Sequence, residues 1–107
     1  MHEYILNKVY SASLEFGENW RRPIVEIVGE LYPQMSETDK TEIAIYVAQT
    51  RESIEKYFWD RYDYKNDSVN SKLQSMGKQW VKEQYPWMND DNINHAISQA
   101  MYYAWHG

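Results

Sequence analysis

The chain has 107 residues, a net charge of −5 and no cysteine, which excludes a disulfide scaffold and any thiolate metal site. Ile, Leu, Val and Phe number only twenty. Ten Tyr and five Trp, each able to bury roughly 150–250 Å², supply the missing apolar area, so the sequence reads as folded rather than disordered.

Five segments carry a helical period. The first runs from about His2 to Phe16, with Ile5, Val9, Ala12 and Phe16 on one face and Gly17 as its stop. The second follows Asn19. Trp20, Ile24, Ile27, Val28 and Leu31 form its stripe, Pro23 occupies a first-turn position that tolerates proline, and Pro33 ends it.

Ser36 caps the third and longest segment, with Glu37 and Asp39 where the helix dipole favours acids. Ile43, Val47, Ile54 and Phe58 line its buried face as far as Tyr62. Residues 43–48 are apolar all round, which predicts contacts on several sides and a central place in the fold.

Asp67 or Ser68 caps the fourth segment; Val69, Leu73, Met76 and Trp80 define its buried face, and Pro86 stops it. The fifth starts from Asn89 or Asp90, with Ile93, Ala96, Ile97, Ala100, Met101 and Ala104 as its stripe. Its alanines lie four apart and allow a neighbouring helix to approach closely. His95, Gln99, Tyr102 and His106 project away from that seam; Trp105 is expected to be buried, and Tyr102 and Tyr103 are left open.

Residues 24–28 and 42–47 are β-branched enough to pass as short strands, but the helical period continues beyond both. The expected fold is all-α: one compact domain, 1–107, of about five mostly antiparallel helices with the long third helix at its centre.

No apolar run of about 18 residues offers a membrane span. Residues 1–10 lack the basic-then-apolar order of a secretory signal, so a cytoplasmic protein is expected. Residues 1–67 hold eight basic and thirteen acidic groups, whereas residues 68–107 hold three of each. Lys78 and Lys82 project opposite the Leu73–Trp80 stripe and Arg21-Arg22 is an isolated pair, too few cations for a surface that tracks phosphates.

Asp91 and His95 could reach one ion from adjacent helical turns, but no third ligand follows at suitable spacing. His95 and His106 are separated by about 16 Å along a helix axis. No metal site is expected. Glu52, Glu55, Asp60 and Asp63 cluster late in the third segment, interleaved with Arg51, Lys56 and Arg61; Glu52 and Lys56 stand in the favourable i,i+4 order. A solvated, ion-paired face accounts for this pattern better than an acid–base pair does. With no nucleophile elbow and no glycine-rich phosphate loop, the sequence points away from an enzyme and calls for no cofactor.

The most distinctive stretch is Tyr57-Phe58-Trp59-Asp60-Arg61-Tyr62-Asp63-Tyr64. At 100° per residue, Tyr57, Phe58 and Arg61 fall near the core stripe. Trp59 falls roughly opposite it, alongside Glu52 and Glu55. A Trp among acids and an Arg has the composition of an interaction hot spot; the competing reading packs Trp59 beneath the 63–67 loop or against another helix. Trp87, just after Pro86, has the same two readings.

The function expected from these features is that of a non-catalytic acidic helical protein that binds, inhibits or regulates another protein. An inhibitor of the immunity or antitoxin kind is one concrete form. Trp59, Asp60, Tyr62, Asp63 and Tyr64 would be the contact residues, with acids steering onto a basic partner. The alternative is a small-molecule binder or enzyme with an aromatic-lined pocket near Trp80, Trp87 and the fifth segment. A DNA-associated helical module comes third, and self-association stays open.

Overall fold

The computed structural model describes residues 2–15, 22–63 and 65–106. Five α-helices follow one another: α1 (Glu3–Leu14), α2 (Ile24–Leu31), α3 (Glu37–Arg61), α4 (Asp67–Gln84) and α5 (Asp90–His106). Among the described residues there is no strand. The all-α reading, the five helices and the long third helix are borne out. The expected roles of Phe16, Gly17, Asn19, Trp20, Arg21 and Tyr64 fall outside the described residues. Two compact units form, Met1–Thr50 and Arg51–Gly107, with the boundary inside α3.

In the first unit α1 packs on α2. The His2 ring caps α1 by accepting the Tyr4 N–H at 3.1 Å. The buried face of α1 is Leu6, Val9, Tyr10, Ser13 and Leu14, whereas Ile5 and Ala12 are only half-buried. The predicted stripe is thus turned by one position, because the Leu6–Tyr10–Leu14 row carries more apolar area than a row that includes Ala12. Ser13 is tolerated inside because its hydroxyl donates to the Tyr10 carbonyl at 2.7 Å.

Pro23 immediately precedes α2 instead of lying in its first turn, and Leu31 ends the helix two residues before Pro33. Ile27 and Val28 are buried, and Arg22, just ahead of α2, reaches forward along the helix and donates two hydrogen bonds to Glu30, 2.7 and 3.1 Å. Ser36 caps α3 as expected, accepting the Asp39 N–H at 3.1 Å. Ile43, Ala44 and Val47 are buried, but Ile45 is 52 % exposed, so the stretch is not contacted all round.

The second unit begins with the C-terminal half of α3, where Ile54 and Phe58 are fully buried. Asn66, rather than Asp67 or Ser68, caps α4 by accepting the Val69 N–H at 3.2 Å. The buried face of α4 is also corrected. It consists of Asn70, Leu73, Gly77 and Val81, while Val69 and Met76 are exposed and Trp80 is half-buried.

Two local interactions explain that shift. Asn70 clamps the turn after α3, donating to the Asp63 carbonyl at 2.8 Å and accepting the Asp63 N–H at 3.0 Å. Gly77 lets the Phe58 ring lie directly on the α4 backbone; a Cβ at this position would overlap the ring. A polar residue and a residue without a side chain therefore hold the face that apolar Met76 was expected to hold.

Asn89 caps α5 through the Asn92 N–H at 2.9 Å, and α5 packs on α4. Ile93, Ala96, Ile97 and Ala100 are buried as predicted, whereas Met101 and Ala104 are half-buried. Gln99, expected to point outward, is buried together with Asn92. These two lie seven residues apart, about 20° from one another around the helix, so the buried arc of α5 extends over a polar row as well. Trp105, expected inside, is 60 % exposed. It sits about 140° round the helix from Ala100 and cannot join that residue's face.

Candidate partner-binding groove

The solvent side of α3 in the second unit is built from Glu52, Glu55, Lys56, Trp59 and Asp60, which recur at i, i+3, i+4, i+7 and i+8 and so share one helical face. Phe58 and Ile54 anchor the opposite face in the core, and this anchoring forces Trp59 outward. Trp59 is 54 % exposed and makes no ring contact among the described residues. Tyr103 belongs to the Asn92–Ala96–Gln99 row of α5 and comes up beside this face. Together the six side chains line a groove of about 540 Å³.

The charges in the groove are unevenly satisfied. Lys56 donates to Asp60 at 2.8 Å, closing one ion pair one helical turn apart. Arg51 stands 3.7 Å from Glu55. The pairing foreseen between Glu52 and Lys56 does not form, and Glu52 has no ion-pair partner among the described residues. Burial raises the Glu55 carboxyl above the ordinary glutamate range; Arg51 pulls it down and the neighbouring Glu52 charge pushes it up further. The groove therefore presents an open tryptophan, a half-buried tyrosine and one carboxylate, Glu52, without an ion-pair partner among the described residues.

Of the residues expected to contact a partner, Trp59 and Asp60 line the groove. Tyr62 is half-buried and Asp63 exposed, and neither is part of the lining. Asp63 works in the turn instead: its carboxylate accepts the Lys65 N–H at 3.0 Å while Asn70 holds its backbone. Tyr64 is outside the described residues. Glu52 and Glu55 were legible as neighbours of Trp59 on the helical wheel. Tyr103 was not placed there from sequence, because spacing along α5 does not say which helix its row meets.

Trp80 and Trp87 pack among aromatic neighbours. The Trp80 ring stacks on Tyr57 with centroids 4.4 Å apart, and edge contacts continue through Tyr85 to Trp87 at 6.2 and 6.3 Å. Neither lines the groove, nor a smaller cleft of about 350 Å³ bounded by Gln74, Ser75, Lys78, Asn94, Ile97 and Ser98. The last turns of α5 add an exposed aromatic edge, where His106 lies 4.1 Å from the Tyr102 ring and 4.4 Å from that of Trp105.

Among the described residues no three His, Asp or Glu side chains come together to hold a metal ion, and no helix is long and apolar enough to cross a membrane. No protein family, no curated protein and no solved structure matches the chain.

Proposed function

We propose that this protein is a non-catalytic protein-binding module and that the Trp59 groove is its contact surface. The observation that carries the reading is the 54 % exposure of Trp59 on a rigid helix whose other face is locked into the core. Large aromatics gain most from burial against a partner, and binding energy concentrates in a few such anchors surrounded by polar residues. Carboxylates around the anchor supply charge for steering a basic partner.

The test is affinity capture from the native host with the chain as bait, followed by titration of the purified captured protein. Trp59→Ala is the disabling variant. Met76→Ala, at an exposed site on α4, is the control. Loss of a hot-spot tryptophan weakens binding by about thirtyfold or more, while the control leaves it unchanged. A captured protein that binds Trp59→Ala as tightly as wild type sinks the assignment of this surface, and failure to retain any protein specifically sinks the module itself.

A further inference from the structure

Among the described residues, four lysine and arginine side chains are buried or half-buried: Arg22, Lys40, Arg51 and Lys78. Three of them hold a carboxylate, Arg22 at 2.7 Å from Glu30, Lys40 at 3.2 Å from Glu37 and Arg51 at 3.7 Å from Glu55. Lys78 holds none among the described residues. A partly desolvated ammonium without a counter-charge is unfavourable, and in a chain of net charge −5 acids are not scarce.

The surroundings of Lys78 sharpen the point. One turn further along α4, Lys82 reaches Asp90 of α5 at 4.0 Å. One turn back along α4 and one turn on along α5, the corresponding residues are Lys78 and Asn94, an amide where an acid would close the pair. These two line the cleft of about 350 Å³ between α4 and α5, together with Gln74, Ser75, Ile97 and Ser98. No carboxylate lines it, so an anion meets no repulsion there. None of its five polar side chains makes a hydrogen bond to another described residue. The two amides and two hydroxyls both donate and accept, and Ile97 alone is apolar. The volume falls at the lower end of small-molecule sites, and the lining suits a hydrophilic ligand.

We infer that the α4–α5 cleft binds a small hydrophilic oxyanion, a sugar-sized molecule bearing a phosphate or carboxylate. Lys78 neutralises its charge, and Gln74, Ser75, Asn94 and Ser98 hydrogen-bond its oxygens. This site is separate from the Trp59 groove and does not depend on the protein-binding reading.

The test is NMR titration of the isotopically labelled chain with glucose 6-phosphate, gluconate and neutral glucose at low salt. The expected result is saturable shifts of the Gln74 and Asn94 side-chain amides with at least one anion and none with glucose. The tighter of the two anions distinguishes phosphate from carboxylate. Lys78→Met, which keeps the aliphatic stem, weakens binding about tenfold or more, as for loss of a charge-assisted hydrogen bond. Lys72→Met removes the same charge at an exposed position outside the cleft and leaves binding unchanged. Asn94→Asp supplies the missing carboxylate from within, so it raises the denaturation midpoint and abolishes anion binding.

No saturable shift with either anion overturns the site, as do equal shifts with glucose. Equal weakening by Lys78→Met and Lys72→Met overturns it in favour of unspecific charge attraction. An Asn94→Asp protein that binds the anions as tightly as wild type overturns the assignment of Lys78 as the group that holds the charge.

Discussion

Each of the two units contains a glycine within a helix, and the two glycines stand in opposite surroundings. Gly29 in α2 faces open space, with nothing within 4 Å of where a Cβ would sit. Gly77 in α4 is buried, and the Phe58 ring occupies the place of its missing side chain. The first unit buries Tyr10 among aliphatic residues without any such ring-on-backbone contact at its glycine, and it ties Arg22 to Glu26 and Glu30 at the surface. The second buries aromatic area by close approach of ring to backbone and keeps an open acidic-aromatic face on the opposite side of the same helix. The contrast teaches that the groove depends on the tight contact behind it. Phe58 seated on Gly77 fixes the rotation of α3, and that rotation is what presents Trp59.

Substitution at these glycines gives the largest test of the contrast. Gly77→Ala gains about 1 kcal/mol of helix propensity but forces a methyl into a rigid, fully buried ring, and overpacking of this kind costs about 1–3 kcal/mol, occasionally more. Net destabilisation is expected in chemical denaturation, with the Trp59 indole resonance shifting as α3 turns. Gly77→Ala combined with Phe58→Leu should recover more stability than the two single changes predict by addition, since they share one site. A neutral Gly77→Ala would mean that the ring does not set the position of α3. Gly29→Ala is the mirror experiment: with no atom to displace, it should stabilise by about 0.5–1 kcal/mol and leave the groove resonances unmoved. Destabilisation there would erase the distinction between the units.

The fold was legible wherever large apolar residues keep the helical period. Ile43, Val47, Ile54 and Phe58 were predicted as one face and are all buried. The same wheel put Trp59 on the far side with Glu52 and Glu55, where the structure has it. It misplaced the α4 face because hydrophobicity cannot register Asn70, which is buried through its clamp on Asp63, or Gly77, which contributes absence of bulk. It misjudged Gln99 for a related reason: a polar side chain on a buried row of α5 looks like a solvent-facing one until its tertiary neighbours are known. Asp63 was read as a contact residue although it follows the end of α3, where helical angles stop applying and turn hydrogen bonds take over. The approach of Tyr103 to Trp59 pairs distant parts of the chain, which no local period encodes.

The smallest effect is also the sharpest in sign, because two glutamates, one in each unit, are shifted in opposite directions. Glu30 is held below the ordinary glutamate range by the hydrogen bonds and charge of Arg22. Its ionised form is favoured in the folded state, so the stability it contributes is present above the unfolded pKa and is lost as pH falls through the lowered folded value. Glu55 is raised by burial. The folded protein holds that proton more tightly than the unfolded chain, so its contribution is present below the unfolded pKa and is lost as pH rises through the raised folded value. Glu30→Gln should therefore lose stability relative to wild type at neutral pH and converge with it in acid. Glu55→Gln should match wild type in acid and gain on it as pH rises above the usual glutamate range. Both differences are small because both carboxyls reach solvent, so denaturation is best followed across pH for the three proteins side by side. Two curves bending the same way would show that burial does not dominate the Glu55 carboxyl in the folded protein and that Arg51 sets its charge instead.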